Sequence, residues 1–208
     1  MNAEQDKMDF VILAAGDGKR FLSADSSTRR AKQFQHLAGR MVLLHSLDTI
    51  SKWPSCGQIV IVLPQDGVEV DILNSLKTAA SAAPVSVRFT PGGASRSAST
   101  LNGLKALSAL NPNKLVAIHD AARPSVPYQV LNELLSACIG GADGAIPSLP
   151  MTDTVKHVDK TNKVLNTVHK SALRRAQTPQ AFSFDKLFHL HQTNADKAGK
   201  QREILFGE

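Results

Sequence analysis

The sequence has no long apolar run and very little cysteine. No stretch approaches the roughly 18 consecutive apolar residues of a membrane-spanning helix, and the start, Met-Asn-Ala-Glu-Gln-Asp-Lys, lacks the apolar segment of a secretion signal. Cys56 and Cys138 lie among apolar or small residues without metal-ligand spacing. We therefore expect a cytoplasmic protein with buried free thiols and no membrane partner.

Aromatic residues are also scarce, at 5% of the chain, whereas the formal net charge is +6. A basic protein can bind nucleic acid. However, the cations form no single run, and few aromatic side chains are present to stack on bases. An anionic small-molecule substrate accounts for the charge equally well, so composition alone does not separate these two classes.

Short apolar runs alternate with segments of helical length. This pattern predicts βαβ crossovers and an α/β fold, a doubly wound, mainly parallel twisted sheet in a single domain over residues 1–208. Ligands of such sheets bind beyond the carboxyl ends of the strands. The predicted strands are Asp9–Ala14, Gln58–Leu63, Val85–Thr90, Leu115–His119 and Gly144–Ser148, and the predicted helices cover about 41–52, 67–82, 95–110 and 127–139.

A β-hairpin arm is predicted at about residues 150–170. The alternating segments Thr154–Val158 and Val164–Val168 flank the polar stretch Asp159–Lys163. The edges of a lone hairpin are unpaired. We therefore expect the arm to dock on a second copy of the chain, in a homodimer.

The loop after the first strand, Leu-Ala-Ala-Gly-Asp-Gly-Lys-Arg at 13–20, carries the strongest local signal for phosphate binding. Gly16 and Gly18 allow close approach of the backbone to a ligand, and Lys19 and Arg20 follow at once. The segment matches neither the P-loop nor the dinucleotide fingerprint, since Phe21 stands where the latter needs glycine. A solvated surface turn is the alternative that the loop by itself leaves open.

A second glycine pair follows the third strand. Ser95 is suited to cap the next helix, so Gly92 and Gly93 could form an ordinary turn before that cap. In the functional interpretation the glycines pack against a flat base, while Arg96 and Ser99 face its sugar or phosphate.

Three further segments carry candidate ligands. Asp120 follows a buried strand, where a carboxylate holds Mg²⁺ together with substrate phosphates or caps a turn before Pro124. His119 is expected to be packed and hydrogen bonded, because no second metal-binding side chain lies at ligand spacing. The segments 152–156 and 175–180 could hold a phosphomonoester or form a solvated ribbon.

Together and in this order, these segments resemble the 2-C-methyl-D-erythritol 4-phosphate cytidylyltransferase family of the non-mevalonate isoprenoid pathway. The matching pieces are Leu13-Ala-Ala-Gly-x-Gly-x-Arg20, Lys32-Gln33, Gly92-Gly-x-x-Arg-x-x-Ser99, His119-Asp-Ala-Ala-Arg-Pro124, Asp153-Thr154 and Gln177-Thr-Pro-Gln180.

The resemblance implies a nucleotide-diphospho-sugar transferase-like fold and transfer of CMP from CTP to 2-C-methyl-D-erythritol 4-phosphate, with release of pyrophosphate and help from Mg²⁺. It implies small-molecule partners rather than nucleic acid. A ribitol or other polyol phosphate cytidylyltransferase and a non-catalytic nucleotide-binding remnant are the alternatives. The implied site residues are Arg20 and Lys32 for catalysis; Ala14, Ala15, Gly16, Gly18, Gly93 and Ser99 for the nucleotide; Arg123, Thr154, Lys170 and Thr178 for the polyol phosphate; and Asp120 for the metal.

Three features depart from the family pattern. Ala31 stands where proline usually precedes the lysine, and the segment 23–30 looks expanded. Lys170 occupies a position resembling an arginine of the arm, which loses the bidentate fork. The chain ends at Glu208, before the acidic helix start, strand pair and lysine that the resemblance implies, and without the fused cyclodiphosphate synthase domain of some relatives. We therefore expect a truncated product or an unusual variant.

Overall fold

A six-stranded sheet organises the fold in the computed structural model, which describes residues 6–16 and 30–197. The strands are β1 (Met8–Leu13), β2 (His36–Leu37), β3 (Arg40–Met41), β4 (Cys56–Leu63), β5 (Val87–Pro91), β6 (Leu115–Asp120), β7 (Gly144–Ala145), β8 (Ser148–Pro150), β9 (Val155–Val158), β10 (Val164–Val168), β11 (Arg174–Ala176) and β12 (Gln180–Ser183). The α-helices are α1 (Val42–Ser51), α2 (Val70–Ala82), α3 (Arg96–Ser108), α4 (Tyr128–Ile139) and α5 (Phe184–Lys197), and Lys32–Phe34 and Lys170–Ala172 form short 3-10 helices.

The strand order in the main sheet is β5-β4-β1-β6-β12-β7. The first four of these strands are parallel, and β1 lies between β4 and β6. Phe10, Val11 and Ile12 of β1 are fully buried, as a strand covered on both faces requires. The predicted doubly wound, mainly parallel α/β fold is thus confirmed.

The prediction of a single strand over Gly144–Ser148 is wrong. The segment divides into β7 and β8. The unpredicted strand β12 pairs antiparallel with both β6 and β7. Pro147 stands between the two pieces and has no N–H to donate to a ladder. At Gly144 an added Cβ would lie 2.5 Å from a ring carbon of Phe182, so glycine permits this close strand approach.

Helices cover both faces of the sheet. One face packs on α1, α2 and α4 through buried residues such as Leu47, Leu76 and Leu131. The other packs on α3 and α5 through residues such as Leu104. Gly103 lets α3 lie directly on the sheet, because a Cβ there would come within 2.4 Å of Val11.

Both cysteines are buried and free, as the sequence predicts. Burial raises the pKa of the Cys56 thiol to about 12, and it raises the pKa of Cys138 as well. Both thiols are therefore protonated and weakly nucleophilic at neutral pH.

The hairpin predicted at 150–170 is present as the antiparallel pair β9–β10. The carboxylate of Asp159 accepts bonds from the hydroxyl of Thr161 and from the N–H groups of Thr161 and Lys163, which fixes the turn and lowers the pKa of Asp159. Apolar side chains remain exposed on the arm, with Val164 53% and Leu165 56% accessible. Within the described ranges, no helix is long and apolar enough to span a bilayer.

Candidate functional site

The predicted ligand-binding segments meet at one edge of the main sheet. Leu13 of β1 is in register with Asp120 of β6, and Leu63 of β4 is in register with Pro91 of β5. Because these strands are parallel, the loops that follow them leave the sheet side by side. The edge therefore combines the loop after β1, the glycine pair after β5 and the turn after β6.

The described start of the loop after β1 is fixed by Gln33. The N–H of Ala14 donates to the carbonyl of Val62 at 2.8 Å, which continues the sheet by one residue. The buried amide of Gln33 then donates from Nε2 to the carbonyl oxygens of Ala14 at 2.8 Å and Gly16 at 2.7 Å. With two N–H donors, this amide nitrogen can satisfy both carbonyls at once. Ala15 is half-buried between them, and open space surrounds Gly16.

The glycine pair after β5 packs tightly against this loop. At Gly92 an added Cβ would lie 2.5 Å from the Cβ of Ala15 and 2.9 Å from Oγ of Ser99. The N–H of Gly93 donates to that same Oγ at 3.1 Å. Ser95 caps α3 by accepting from the N–H of Ala98, as predicted. The arrangement brings Ala15, Gly93 and Ser99 together at the start of α3.

Asp120 lies between two guanidinium groups. Arg96, from the first turn of α3, donates to Oδ1 at 3.0 Å, and Nε of Arg123 lies 3.4 Å from Oδ2. Nη1 of Arg123 donates to the side-chain oxygen of Gln177 at 2.6 Å. The carboxylate is about one-third exposed, so a ligand approaching this edge can reach it.

His119 is packed and hydrogen bonded, as expected. Its Nε2 lies 3.1 Å from the carbonyl oxygen of Arg123, and its Nδ1 lies 3.1 Å from the hydroxyl of Thr178. That hydroxyl also accepts from the N–H of Asp120 at 3.2 Å. Burial is the main cause that lowers the pKa of His119, to about 4, so the ring is neutral at pH 7.

Of the two cations predicted to act in catalysis, the structure describes Lys32 but not Arg20. Gly18 and Arg20 lie outside the described residues, as does nearly all of the expanded segment 23–30. Lys32 is exposed in the short 3-10 helix that also carries Gln33. Arg30, the one described residue of that segment, donates to the carboxylates of Glu69 at 2.5 Å and Asp71 at 2.8 Å. Its guanidinium therefore faces the start of α2.

The arm residues predicted to bind the polyol phosphate are exposed. Nζ of Lys170 donates to the carbonyl of Thr152 at 3.1 Å. In the part of the chain that the structure describes, no hydrogen bond connects Thr154 or Lys170 with Asp120 or Arg123. The site residues thus fall into two sets within one copy of the chain, one at the sheet edge and one on the arm.

Two side chains that organise the edge, Gln33 and Gln177, were not predicted as site residues. Each lies inside a motif that carries the family resemblance, beside Lys32 and Thr178 respectively. Their proximity to these predicted site residues was a usable signal. Their function as donor to backbone carbonyls and as acceptor from Arg123 depends on distances that the motif does not contain.

Asp120 is a partly exposed carboxylate at this edge that could share a cation with a substrate. Over residues 6–16 and 30–197, no group of three or more His, Cys, Asp or Glu side chains is placed to hold a metal ion. Mg²⁺ commonly binds through one or two carboxylates and substrate phosphates rather than in a cage of protein ligands. Asp120 can supply one such carboxylate.

Comparison with known proteins gives consistent results. A family model described as IspD, 2-C-methyl-D-erythritol 4-phosphate cytidylyltransferase, matches residues 8–203. The chain is 36% identical over 192 residues to a bifunctional enzyme IspD/IspF of Allorhizobium ampelinum, covering 92% of this chain and 45% of that protein. It is 34% identical to a 2-C-methyl-D-erythritol 4-phosphate cytidylyltransferase of Carboxydothermus hydrogenoformans, covering 89% of this chain and 75% of that one.

A solved structure agrees with these sequence matches. The 4-diphosphocytidyl-2C-methyl-D-erythritol synthase from Anaerococcus prevotii superposes with a TM-score of 0.75 at 25% identity, over 96% of this chain and 79% of that chain. The chain spans about half the length of the bifunctional relatives that it matches.

Proposed function

This chain belongs to the 2-C-methyl-D-erythritol 4-phosphate cytidylyltransferase family, and from that premise we propose that it transfers CMP from CTP to 2-C-methyl-D-erythritol 4-phosphate with release of pyrophosphate. The observation that carries the proposal is the convergence at one sheet edge of Ala14–Gly16, Gly93, Ser99 and Asp120. This edge presents backbone groups to a nucleotide and charged side chains to its phosphates.

The reaction requires positioning and charge neutralisation rather than a covalent intermediate. In an in-line displacement at phosphorus, the polyol phosphate oxygen attacks the α-phosphate and pyrophosphate leaves. The backbone of Ala14, Ala15 and Gly16 lines the triphosphate, and the family resemblance assigns Gly18 to the same role. Gly93 and Ser99 face the cytosine and ribose.

Positively charged side chains neutralise the negative charge that develops on the phosphate oxygens in the transition state. We assign this role to Lys32 and Arg20 by family resemblance. Lys32 begins the 3-10 helix that also contains Gln33, and Gln33 holds the loop after β1. Because the lysine and the side chain that holds the loop belong to one short helix, the charge is carried close to the loop.

Asp120 would hold Mg²⁺, which supplies charge neutralisation to the triphosphate when it is bound. Arg96 and Arg123 contact the carboxylate in the free protein and thereby orient it. Because each of these contacts is partly exposed to solvent, each can be exchanged for a ligand.

The polyol phosphate would lie beside Arg123 and Thr178. In the assembly that we propose, a partner copy contributes Thr154 and Lys170 from its arm. The exposed apolar side chains of Val164 and Leu165 support a homodimer, since they leave the isolated arm with unburied surface. We place the reaction in the cytoplasm, because CTP and phosphorylated polyols are intracellular metabolites.

A pyrophosphate-release assay with CTP, Mg²⁺ and 2-C-methyl-D-erythritol 4-phosphate tests the proposal. Lys32→Ala should lower kcat about 100-fold, equivalent to about 3 kcal/mol of lost charge stabilisation. Lys77→Ala, at an exposed position of α2, is the matched control and should leave kcat unchanged.

Three results would contradict the proposal. Equal, measurable rates for the full chain and Lys32→Ala would remove the lysine from catalysis. Product from ribitol phosphate alone would change the substrate. Binding of CTP without any pyrophosphate release, at full occupancy with both substrates, would leave a nucleotide-binding protein.

A further inference from the structure

We propose that His119 is a positioning residue for this reaction, one that holds both ends of the turn 120–123 and thereby sets the Asp120 carboxylate and the Arg123 guanidinium relative to each other. The proposal rests on the proposed function for its kinetic consequences. Its structural part, which concerns the protons on the imidazole, stands independently of activity.

His119 holds the Arg123 end of the turn directly. The carbonyl oxygen of Arg123 can only accept a hydrogen bond, and Nε2 of His119 lies 3.1 Å from it. Nε2 therefore carries a proton and donates it to this oxygen. The ring is fully buried, so water does not compete for the contact.

His119 holds the Asp120 end of the turn through the hydroxyl of Thr178. Its hydroxyl oxygen accepts from the backbone N–H of Asp120 at 3.2 Å and lies 3.1 Å from Nδ1 of His119. The hydroxyl proton then points to Nδ1, which must be unprotonated to accept it. A neutral ring with its proton on Nε2 satisfies all three contacts.

Both functional side chains of the turn depend on this arrangement. The turn is closed by a bond from the N–H of Arg123 to the carbonyl of Asp120 at 3.0 Å. In addition, Nε of Arg123 lies 3.4 Å from Oδ2 of Asp120, and Nη1 of Arg123 lies 2.6 Å from Oε1 of Gln177. Since Gln177 immediately precedes Thr178, movement at either end of the turn changes the distances among these groups.

These hydrogen bonds also limit which hydrogen bonds Thr178 can make with a ligand. Its proton is directed to His119, so the hydroxyl retains a lone pair but no hydrogen for a further partner. An ionised phosphate oxygen only accepts hydrogen bonds. Thr178 is therefore suited to a hydroxyl group of the polyol, whereas the phosphate requires donors such as Arg123.

Two substitutions separate the ends of the turn. His119→Gln can place an amide N–H near the position of Nε2 and retain the Arg123 contact, but it lacks the acceptor for Thr178. His119→Asn can place an oxygen near Nδ1 and retain the Thr178 contact, but it cannot reach the Arg123 carbonyl. A structural role alone would make the two variants differ only in stability.

The expected kinetic effects differ in kind. His119→Asn should raise KM for the polyol phosphate by about 10- to 100-fold, with a smaller effect on kcat, because Arg123 loses its fixed position. His119→Gln should lower kcat by a similar factor, because the Asp120 end is released. Asp9→Asn is the control for lost stability. Asp9 is a buried carboxylate at the opposite edge of the sheet that accepts from Gln58 and Asn113, and its substitution should leave kcat and KM unchanged.

Nitrogen-15 NMR of the full chain tests the structural part without substrate. His119 should show a protonated Nε2 and an unprotonated Nδ1, and Thr178→Val should shift the Nδ1 resonance and speed exchange of the Asp120 amide. A proton on Nδ1, or equal proportional changes of KM and kcat in the two His119 variants, would overturn the proposal. If pyrophosphate release is absent altogether, the proposed function fails, while the tautomer and the exchange rate still decide whether His119 holds the turn.

Discussion

Replacing Gln33 should show how strongly the loop after β1 depends on one side chain. The amide nitrogen makes two bonds, at 2.8 and 2.7 Å, to the carbonyls of Ala14 and Gly16. Gln33→Leu removes both donors, at a net cost of about 0.5–1.5 kcal/mol per bond, or about 2 kcal/mol in total. Gly16 is exposed, so water partly replaces one of these bonds.

Gln33→Glu is the sharper substitution, because it retains the shape of the side chain and replaces the donor with an acceptor. An ionised carboxylate would then face two carbonyl oxygens at a position only 5% exposed. An uncompensated buried charge costs about 3–5 kcal/mol. We therefore expect Gln33→Glu to be less stable than Gln33→Leu. The loss of stability in Gln33→Glu should become smaller at low pH, where the protonated carboxyl regains one donor.

Urea unfolding measures both effects. Trp53 is the single tryptophan and is 3% exposed, so its fluorescence reports loss of the core. Gln192→Glu, at an exposed position of α5, is the matched control and should change the free energy of unfolding by less than about 0.5 kcal/mol. Equal stability of Gln33→Glu and Gln33→Leu, or unfolding free energies of both that match the control, would refute a role of Gln33 in holding the loop.

Three further predictions concern substitutions of Gly92, Asp120 and His191. Gly92→Ala should lower the free energy of unfolding by about 1–3 kcal/mol and raise KM for CTP, since the new methyl group would come within 2.5 Å of the Cβ of Ala15; urea unfolding and initial rates measure this. Asp120→Asn should lower kcat about 100-fold and weaken the dependence of the rate on Mg²⁺ concentration, and an unchanged metal dependence would remove Asp120 as the ligand. Burial, with a smaller contribution from nearby Arg96, lowers the pKa of His191 below its ordinary 6.5. The unfolded chain therefore binds more protons below pH 6.5 and stability falls there as pH decreases; His191→Gln should flatten this slope, leaving the part that His119 contributes in the same direction.

The main sheet could be predicted because its signals are local. The buried strands β1, β4 and β6 are short apolar runs bounded by helical segments, and that alternation has few solutions other than a parallel sheet. The hairpin β9–β10 is equally local, since a polar turn at 159–163 separates two alternating segments. The structure confirms these elements with shifts of a few residues at their ends.

The site residues could be placed at strand ends but not connected to one another. The sequence predicts that Ala14, Gly93 and Asp120 share an edge, because parallel strands end on the same side. It does not predict that Arg96 and Arg123 both contact Asp120, or that Lys170 donates to a carbonyl of its own arm. Those contacts depend on rotamers and on helix placement to within about an ångström, which residue types and spacing do not contain.

The sequence by itself therefore determined the alternation of the parallel strands with their helices, the sheet edge that collects the candidate site residues, and the family. The tertiary structure alone decided that β12 enters the sheet antiparallel beside β6, which brings Thr178 to His119 across 59 residues of chain. It also decided that Gln33 reaches back to the carbonyls of Ala14 and Gly16. The physical reason is that periodicity records which face of an element is buried, whereas a buried hydrogen bond depends on the distance between two atoms that only the packed chain brings together.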